Sequence, residues 1–401
     1  MSQPLIIDDH DPYSRFRLIA WWDQEKLTRA RVLVVGAGAL GNEVLKNLAL
    51  LGVGTIHVID FDEIERTNLT RSVLFRRRDC GRPKAEVAAE ALRDLNPDIR
   101  VHSLAANVMT GLGLGFFQAM DVVISCLDNR EARLWVNRQC WKVGTPWVDG
   151  AIQEINGVVK VFVPPDSACY ECAMTEMDYR LINLRYSCPL LRQEDLVAGK
   201  VPTAPTISSI IAGLQTQEAL KLIHGLPVSS GQALVFNGAA NRFYATAFQR
   251  REECLSHETY GPIHETHLSA AGHSPRDVWE ALAIVPDGDT RVHLDRDLVV
   301  SLTCEACGWE RPVMRPLPEV RLRDARCARC HETARPRLEH TVDAASELSR
   351  VTLASLGVPA FDIVRVEHHG RQFLALLGGD RETAYAAFSA SASHGDNSFN
   401  P

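Results

Sequence analysis

The sequence predicts an α/β fold, a mostly parallel sheet covered by helices on both faces, followed by a smaller α+β unit. Two observations carry the first part. Short β-branched runs alternate with helical stretches over the first 150 residues, the pattern of strands buried on both faces. A glycine-rich turn, Gly36-Ala-Gly38-Ala-Leu-Gly41, joins the first such run to its helix. A third observation concerns metal. Of 11 cysteines, six stand in three CxxC pairs, in a long chain without an export signal, which favours metal sites over structural disulfides.

Taken in order, Arg31–Val35 reads as a buried strand, Ala39–Leu51 as a helix and Ile56–Asp60 as the next strand. Lys84–Leu95 is rich in helix formers and stops before Pro97; Asp121–Ser125 is a later strand, followed by a helix over about Arg130–Lys142. Gly157–Val163 extends the sheet. Residues 173–204 have no clear period and read as a polar crossing segment, Pro205–Ile223 as a helix, and 233–236 with 242–248 as a closing hairpin. A His-, Gly- and Ser-rich stretch over 256–274 is a candidate linker. Beyond it, 274–282 is a helix with Ser274 as its cap and Pro275 at its first position; 347–357 is a second helix ending at Gly357; 362–366 and 372–376 are strands. The expected domains are 1–262 and 263–388, with a zinc-ribbon insertion at about 300–335 and a disordered Ser/Ala/Asn-rich tail over 389–401.

Composition excludes several classes. The 401 residues are 46% hydrophobic and 23% charged, ordinary soluble globular material for two or three domains. No apolar run approaches the roughly 18–20 residues that span a bilayer, and MSQPLIIDDHDPYSR lacks a secretory pattern, so a cytoplasmic protein with no membrane partner is expected. A net charge of −7 argues against a general nucleic-acid binder.

The glycine turn suits phosphate binding, because its backbone N–H groups approach an anion at a helix N-terminus; Asp60 lies 19 residues past Gly41, where an acid can hold a ribose hydroxyl. Alone, this pattern equally describes an NAD-binding unit. The same nucleotide edge, however, also carries Asp62, Asn68 and Arg71 in Thr67-Asn-Leu-Thr-Arg71, Lys84 in Gly81-Arg-Pro-Lys84, and Asp128-Asn129 after Ser125-Cys-Leu. Cations for phosphate oxygens and a carboxylate for Mg²⁺ are what triphosphate chemistry needs.

These motifs, GAGALGNEVLKNLALLGVGTIHVIDFD, NLTR, GRPK and SCLDN in that order, resemble the ubiquitin-activating enzyme family, which includes the sulfur-carrier adenylyltransferases of molybdopterin and thiamine biosynthesis. The likeness covers residues 12–258. It implies a Rossmann-like adenylation domain in which Gly36, Gly38 and Gly41 line the ATP phosphates and Asp60 holds the ribose. Asp62, Asn68, Arg71, Lys84 and Asn129 would surround the nucleotide, with Mg²⁺ on Asp128. Tyr13-Ser-Arg15-Phe-Arg17 resembles a segment whose arginine reaches the partner's ATP across a homodimer; Arg15 is the better match, with Arg17 open as an alternative. The family's acyl-accepting cysteine falls in the crossing segment, which implies Cys188, with Arg185 and Arg192 nearby to lower its thiol pKa. Cys80, Cys126 and Cys140 read as inert thiols of the core.

Relatives place a CxxC at Cys169–Cys172 and another where this chain has Cys254-Leu-Ser-His257, which implies one structural Zn²⁺ with Cys₃His ligation, His264 and His267 being alternatives for His257. Cys304, Cys307, Cys327 and Cys330 have zinc-ribbon spacing of their own, 19 residues separating the two pairs. The order of elements after residue 274 resembles, more weakly, the ubiquitin-fold domain by which activating enzymes recruit a ubiquitin-conjugating enzyme. His368-His369 read as an exposed turn, and Trp21-Trp22 as core or dimer-interface residues on an early helix. The expected function is activation of a ubiquitin-like protein ending in glycine, transfer to Cys188 as a thioester, and hand-over to a conjugating-type enzyme. Alternatives are a sulfur-carrier adenylyltransferase that stops at the acyl-adenylate, a non-catalytic adaptor and a dehydrogenase.

Overall fold

The computed structural model describes residues 8, 10–183 and 202–390. The first unit runs α1 (Gln24–Arg29), β1 (Arg31–Val35), α2 (Ala39–Leu50), β2 (Thr55–Ile59), α3 (Lys84–Leu95), β3 (Arg100–Leu104), α4 (Leu114–Gln118), β4 (Val122–Ser125), α5 (Arg130–Val143), β5 (Trp147–Gln153) and β6 (Asn156–Phe162). It continues with α6 (Glu176–Asn183), α7 (Pro205–His224), β7 (Gln232–Asn237) and β8 (Arg242–Ala247). The eight strands form one sheet in the order β3-β2-β1-β4-β5-β6-β7-β8. Pairing is parallel from β3 to β5 and antiparallel from β5 to β8. Strands β1 (after Arg31), β2 and β4 are buried on both faces because helices cover both, which is why β1 and β4 read as near-continuous hydrophobic runs, while β2 buries Thr55 and His57 on one face.

One face is closed by α2, α3 and α7, through Leu45, Leu48, Val87, Leu92, Ile207 and Ile211. The other is closed by α4 and α5 and, unexpectedly for a separate domain, by the C-terminal unit: Phe116, Val136 and Trp141 share a core with Phe361, Ile363, Leu376 and Phe388. The approach is close enough to demand glycine. A Cβ on Gly113 would sit 2.4 Å from the Ala360 carbonyl oxygen, and one on Gly115 2.6 Å from that of Phe361. Polar ties reinforce it, since the Leu114 N–H donates to Asp362 (2.6 Å) and Asp362 pairs with buried Arg296 (3.0 Å).

The C-terminal unit comprises β9 (Ile263–Thr266), α8 (Pro275–Ala281), β10 (Thr290–Thr303), β11 (Glu310–Pro316), β12 (Arg335–Asp343), β13 (Ile363–His368), β14 (Arg371–Leu377) and α9 (Arg381–Ala390). Its sheet runs β11-β10-β13-β14-β9, and β12 also pairs with β10. Strand β9 is parallel to β14, and the other pairs are antiparallel. The far end of β10, with β11 and β12 on either side, carries a small core of its own around Val299, Leu302, Val320, Ala325 and Ala334.

Four local expectations change. The stretch over 256–274 is no linker: it supplies a 3₁₀ turn (Leu255–His257) and β9, whose backbone is paired in the sheet. The crossing segment begins with regular structure, α6. Residues 347–357 form two short 3₁₀ turns, Glu347–Arg350 and Ala354–Leu356, separated by β-branched Val351 and Thr352, though the second ends at Gly357 (φ +81°) as expected. Trp21 and Trp22 lie between the 3₁₀ turn Ser14–Leu18 and α1 rather than on a helix, and both pack against His224.

Candidate active site

The glycine turn sits at the C-terminal end of β1, and each glycine answers a different constraint. Gly36 has φ +96°, and a Cβ there would lie 2.7 Å from the Cys126 carbonyl oxygen; one on Gly41 would lie 2.0 Å from that of Gly36. Those two let the turn close against the end of β4. A Cβ on Gly38 would meet nothing within 4 Å, so the turn presents bare backbone to open space where α2 begins. Asn42, fully buried, locks the arrangement: its amide donates to the carbonyls of Ala37 (2.7 Å) and Gly38 (3.0 Å), and its oxygen accepts from Leu74 N–H (2.9 Å). In the sequence it is one of several polar residues on α2, beside Glu43, Lys46 and Asn47, with nothing to mark it as buried.

Asp60 follows β2. Its carboxylate accepts from Ala37 N–H (2.7 Å) and Asp62 N–H (2.8 Å), so it braces the glycine turn; burial pushes its carboxyl up from the ordinary range, against the pull of nearby Lys84. Residues 62–64 pair with 81–84 through backbone bonds from Lys84 to Asp62 (2.9 Å), Ile64 to Arg82 (2.9 Å) and Gly81 to Ile64 (2.9 Å). This clasp fixes Lys84, the first residue of α3, whose buried side chain meets the half-exposed Asp62 carboxylate at 2.7 Å. Arg71 donates to the Thr67 carbonyl (2.7 Å), and Asn68 closes a capping box by accepting from Glu65 N–H (2.9 Å). At the end of β4, Asp128 is exposed and has no hydrogen bond or ion pair among the described residues, whereas Asn129 caps α5 by accepting from Ala132 N–H (2.8 Å).

The N-terminal arginines separate. Arg17 is engaged by Asp11 (2.6 Å), while Arg15 is exposed and unpaired among the described residues. Cys188, Arg185 and Arg192 lie outside the described residues. Cys126 and Cys140 are buried, and burial pushes both thiols up, which leaves them unreactive; Cys80 is half-buried.

Beneath the Asp128 turn lies a charged cluster that sequence reasoning passed over. Arg133, one turn into α5, donates to Asp149 (3.0 Å) and to the carbonyls of Gly150 (3.1 Å) and Leu127. Asp149, the third residue of β5, is fully buried, also accepts from the Ser125 hydroxyl (3.1 Å), and has Lys160 at 3.5 Å. Its signal was a lone acid inside an apolar strand that was not itself recognised.

Both cysteine clusters assemble. Sγ of Cys169 lies 3.5 Å from that of Cys254 and 3.7 Å from that of Cys172, and Cys172 Sγ lies 3.3 Å from Nε2 of His257. His257, not His264 or His267, completes this set. In the ribbon, Cys304–Cys330 and Cys307–Cys327 are each 3.5 Å apart. These spacings are far too long for disulfides and close to the about 3.8 Å between sulfurs sharing a tetrahedral zinc, so both donor sets fit the ion. Asp287, His368 and His369 also converge at the surface, where Thr290 already bonds Asp287 (3.0 Å) and His368 (2.8 Å); His369 lies in the exposed turn as expected, but His368 is half-buried and ends β13.

No helix among the described residues is long and apolar enough to cross a membrane. The model of the ThiF family matches residues 11–256. Among curated proteins, the sulfur carrier protein ThiS adenylyltransferase of Escherichia coli K12 is 31% identical over 255 residues, covering 63% of this chain and 92% of that protein. The ubiquitin-like modifier-activating enzyme 5 of rice is 28% identical over 326 residues, 75% of this chain and 74% of that one. Among solved structures, E. coli MccB with ATP superposes with a TM-score of 0.51 at 27% identity, covering 62% of this chain and 74% of that one. The Rossmann-like sheet, the match over 11–256 and these relatives together place the chain in the ThiF family of adenylating enzymes.

Proposed function

We propose that this chain uses Mg-ATP to adenylate the C-terminal carboxylate of a ubiquitin-like protein ending in glycine, passes the acyl group to Cys188, and hands it to a conjugating-type enzyme. One observation supports the site most directly: the open glycine turn at Gly38, the Lys84–Asp62 pair, Arg71 and the unpaired Asp128 carboxylate all stand at the C-terminal edge of one sheet, where ligands of such sheets bind. The acceptor carboxylate oxygen attacks the α-phosphorus of ATP, and the bond to the β-phosphate oxygen breaks, releasing pyrophosphate. Both reactants are anions. Lys84, already held in place, and Arg71 offset their repulsion, with Arg15 of a second copy as the third cation in a homodimer. Asp128 has the hard oxygen donors that suit Mg²⁺, which supplies charge neutralisation at the phosphates. Asn68 and Asn129 spend their side-chain oxygens on local caps and would offer a nucleotide only their amide N–H groups. The Cys188 thiolate then attacks the acyl carbonyl and AMP leaves.

Zinc at Cys169, Cys172, Cys254 and His257 would clamp the start of the crossing segment to the sheet, a structural role, as would zinc at Cys304, Cys307, Cys327 and Cys330 in the ribbon. The likeness to the rice activating enzyme extends over 326 residues, past the family match, which favours the conjugation reading and a recruiting, ubiquitin-type role for the C-terminal unit. The E. coli ThiS relative favours a second reading, adenylation alone for thiocarboxylate synthesis. A non-reducing gel with Mg-ATP and a ubiquitin-like protein ending in glycine, run beside Cys188→Ala, separates them. A thiol-sensitive adduct lost in the variant supports the thioester; pyrophosphate release without an adduct supports the second reading.

A further inference from the structure

A buried charged cluster of Arg133, Asp149 and Lys160 lies under the Asp128 turn. Arg133 makes three bonds: through Nε and Nη2 one guanidinium joins the carbonyl of Leu127, the carbonyl of Gly150 and the carboxylate of Asp149. It thereby ties together the residue before Asp128, the end of β4 through Ser125, and the part of β5 that pairs with it. Lys160 stands 3.5 Å from the other Asp149 oxygen and lies over the Tyr170 ring, so the cluster places two cations against one carboxylate. Asp149 is unexposed and the Arg133 side chain is only 11% exposed, so neither can reach a bulky ligand. They act on what lies above them.

We infer that Arg133, oriented by Asp149, is a positioning residue that holds the Leu127–Asn129 turn so that the Asp128 carboxylate can take a divalent cation together with the nucleotide triphosphate. This rests on the proposed adenylation site and adds a residue to it. The argument is geometric. Asp128 has no hydrogen bond or close ion pair among the described residues, only the longer-range attraction of the Arg133 charge, so its placement depends mainly on its backbone. On one side that backbone is fixed by the Asn129 cap on α5, and on the other by the bond from Arg133 to the Leu127 carbonyl. A planar guanidinium holds its donors in a fixed fork that here spans β5 and the loop after β4, a geometry the compact ammonium of lysine does not reproduce. The net positive charge of the cluster also favours a polyanion above it, an effect that Lys would preserve.

The test is titration calorimetry of a non-hydrolysable ATP analogue at a series of Mg²⁺ concentrations, with wild type, Arg133→Lys and Asp149→Asn. Circular dichroism and zinc content confirm that each variant folds. Loss of the outer support of a metal ligand typically weakens metal affinity by about 10-fold or more. The expected result for Arg133→Lys is therefore an about 10-fold rise in the Mg²⁺ concentration giving half-maximal tightening, with metal-free analogue affinity unchanged. Asp149→Asn, which keeps the shape but loosens the arginine, should shift in the same direction by less, and it carries the test if Arg133→Lys does not fold. A lower melting temperature with an unaltered Mg²⁺ dependence in the folded variants would make the cluster structural and overturn the inference. If wild type itself fails to bind the analogue, the adenylation reading fails instead.

Discussion

The nucleotide edge of the first sheet and the zinc lobe of the second solve opposite problems. At the edge, a large two-faced core already holds the backbone, and the few polar groups that matter are braced by buried ones: Asn42 under the glycine turn, Asp60 against Ala37, Arg133 under Leu127. In the lobe, seven buried residues, two of them cysteines, form a small core, and four cysteines converge beside it in a set that fits zinc. A substitution at the edge should therefore cost chemistry and leave the fold, whereas one in the lobe should cost local fold and leave the nucleotide site.

The largest expected effect is in the lobe. Structural zinc sites carry on the order of 10 kcal/mol of binding free energy coupled to folding, so Cys304→Ser with Cys327→Ser should lower zinc from two ions per chain to one. Amide exchange should then accelerate in β11 and β12 while Mg-ATP affinity stays at the wild-type value. Loss of nucleotide binding in that variant would break the comparison.

Next comes Lys84→Ala, which should slow carrier-dependent pyrophosphate exchange by about 10²–10³, as for removal of one preorganised charge contact. Its melting temperature should hardly change, because the clasp around residues 62–64 and 81–84 is made by backbone. Near-normal exchange would remove Lys84 from the mechanism.

The smallest effect sharpens the picture of the shared core. His57, fully buried on β2 between His102, Phe116 and Phe388, has no hydrogen bond to either ring nitrogen; burial lowers its pKa to about 3. The folded state keeps the ring neutral while the unfolded chain takes up a proton below its ordinary value of 6.5. Stability is therefore complete above pH 6.5 and declines as the pH falls toward 3. Relative to His57→Phe, wild type should lose about 2 kcal/mol at pH 5 in denaturant titrations. Parallel pH profiles for the two proteins would assign the acid sensitivity elsewhere.

How much was legible follows the same divide. Strand β1 and helix α3 match their expected ranges residue for residue, because each is bounded by strong punctuation: glycine after β1, Pro83 before α3 and the Asn96-Pro97 break after it. The ribbon's four cysteines were readable from spacing alone, whereas the Cys169, Cys172, Cys254 and His257 set was implied by the family resemblance, with His264 and His267 open until the structure brought His257 to the cluster. What escaped was tertiary. Strand β5 was missed because a buried acid and a glycine, Asp149 and Gly150, interrupt its apolar run, and those residues make sense only with Arg133 and Gln215 packed on them. Nor does the pattern of residues 256–274 announce β9, whose partner β14 lies more than 100 residues away. The docking of the second unit on α4 depends on Gly113 and Gly115, whose purpose appears only once Phe361 is placed against them.

The most direct test of the central claim is exchange of labelled pyrophosphate into ATP, with ubiquitin-like and sulfur-carrier proteins ending in glycine as acceptors. The account predicts exchange that requires Mg²⁺ and the acceptor's terminal glycine and falls to background in Lys84→Ala. Exchange indifferent to the acceptor's C-terminus, or none above the Lys84→Ala background with either class of acceptor, would contradict it.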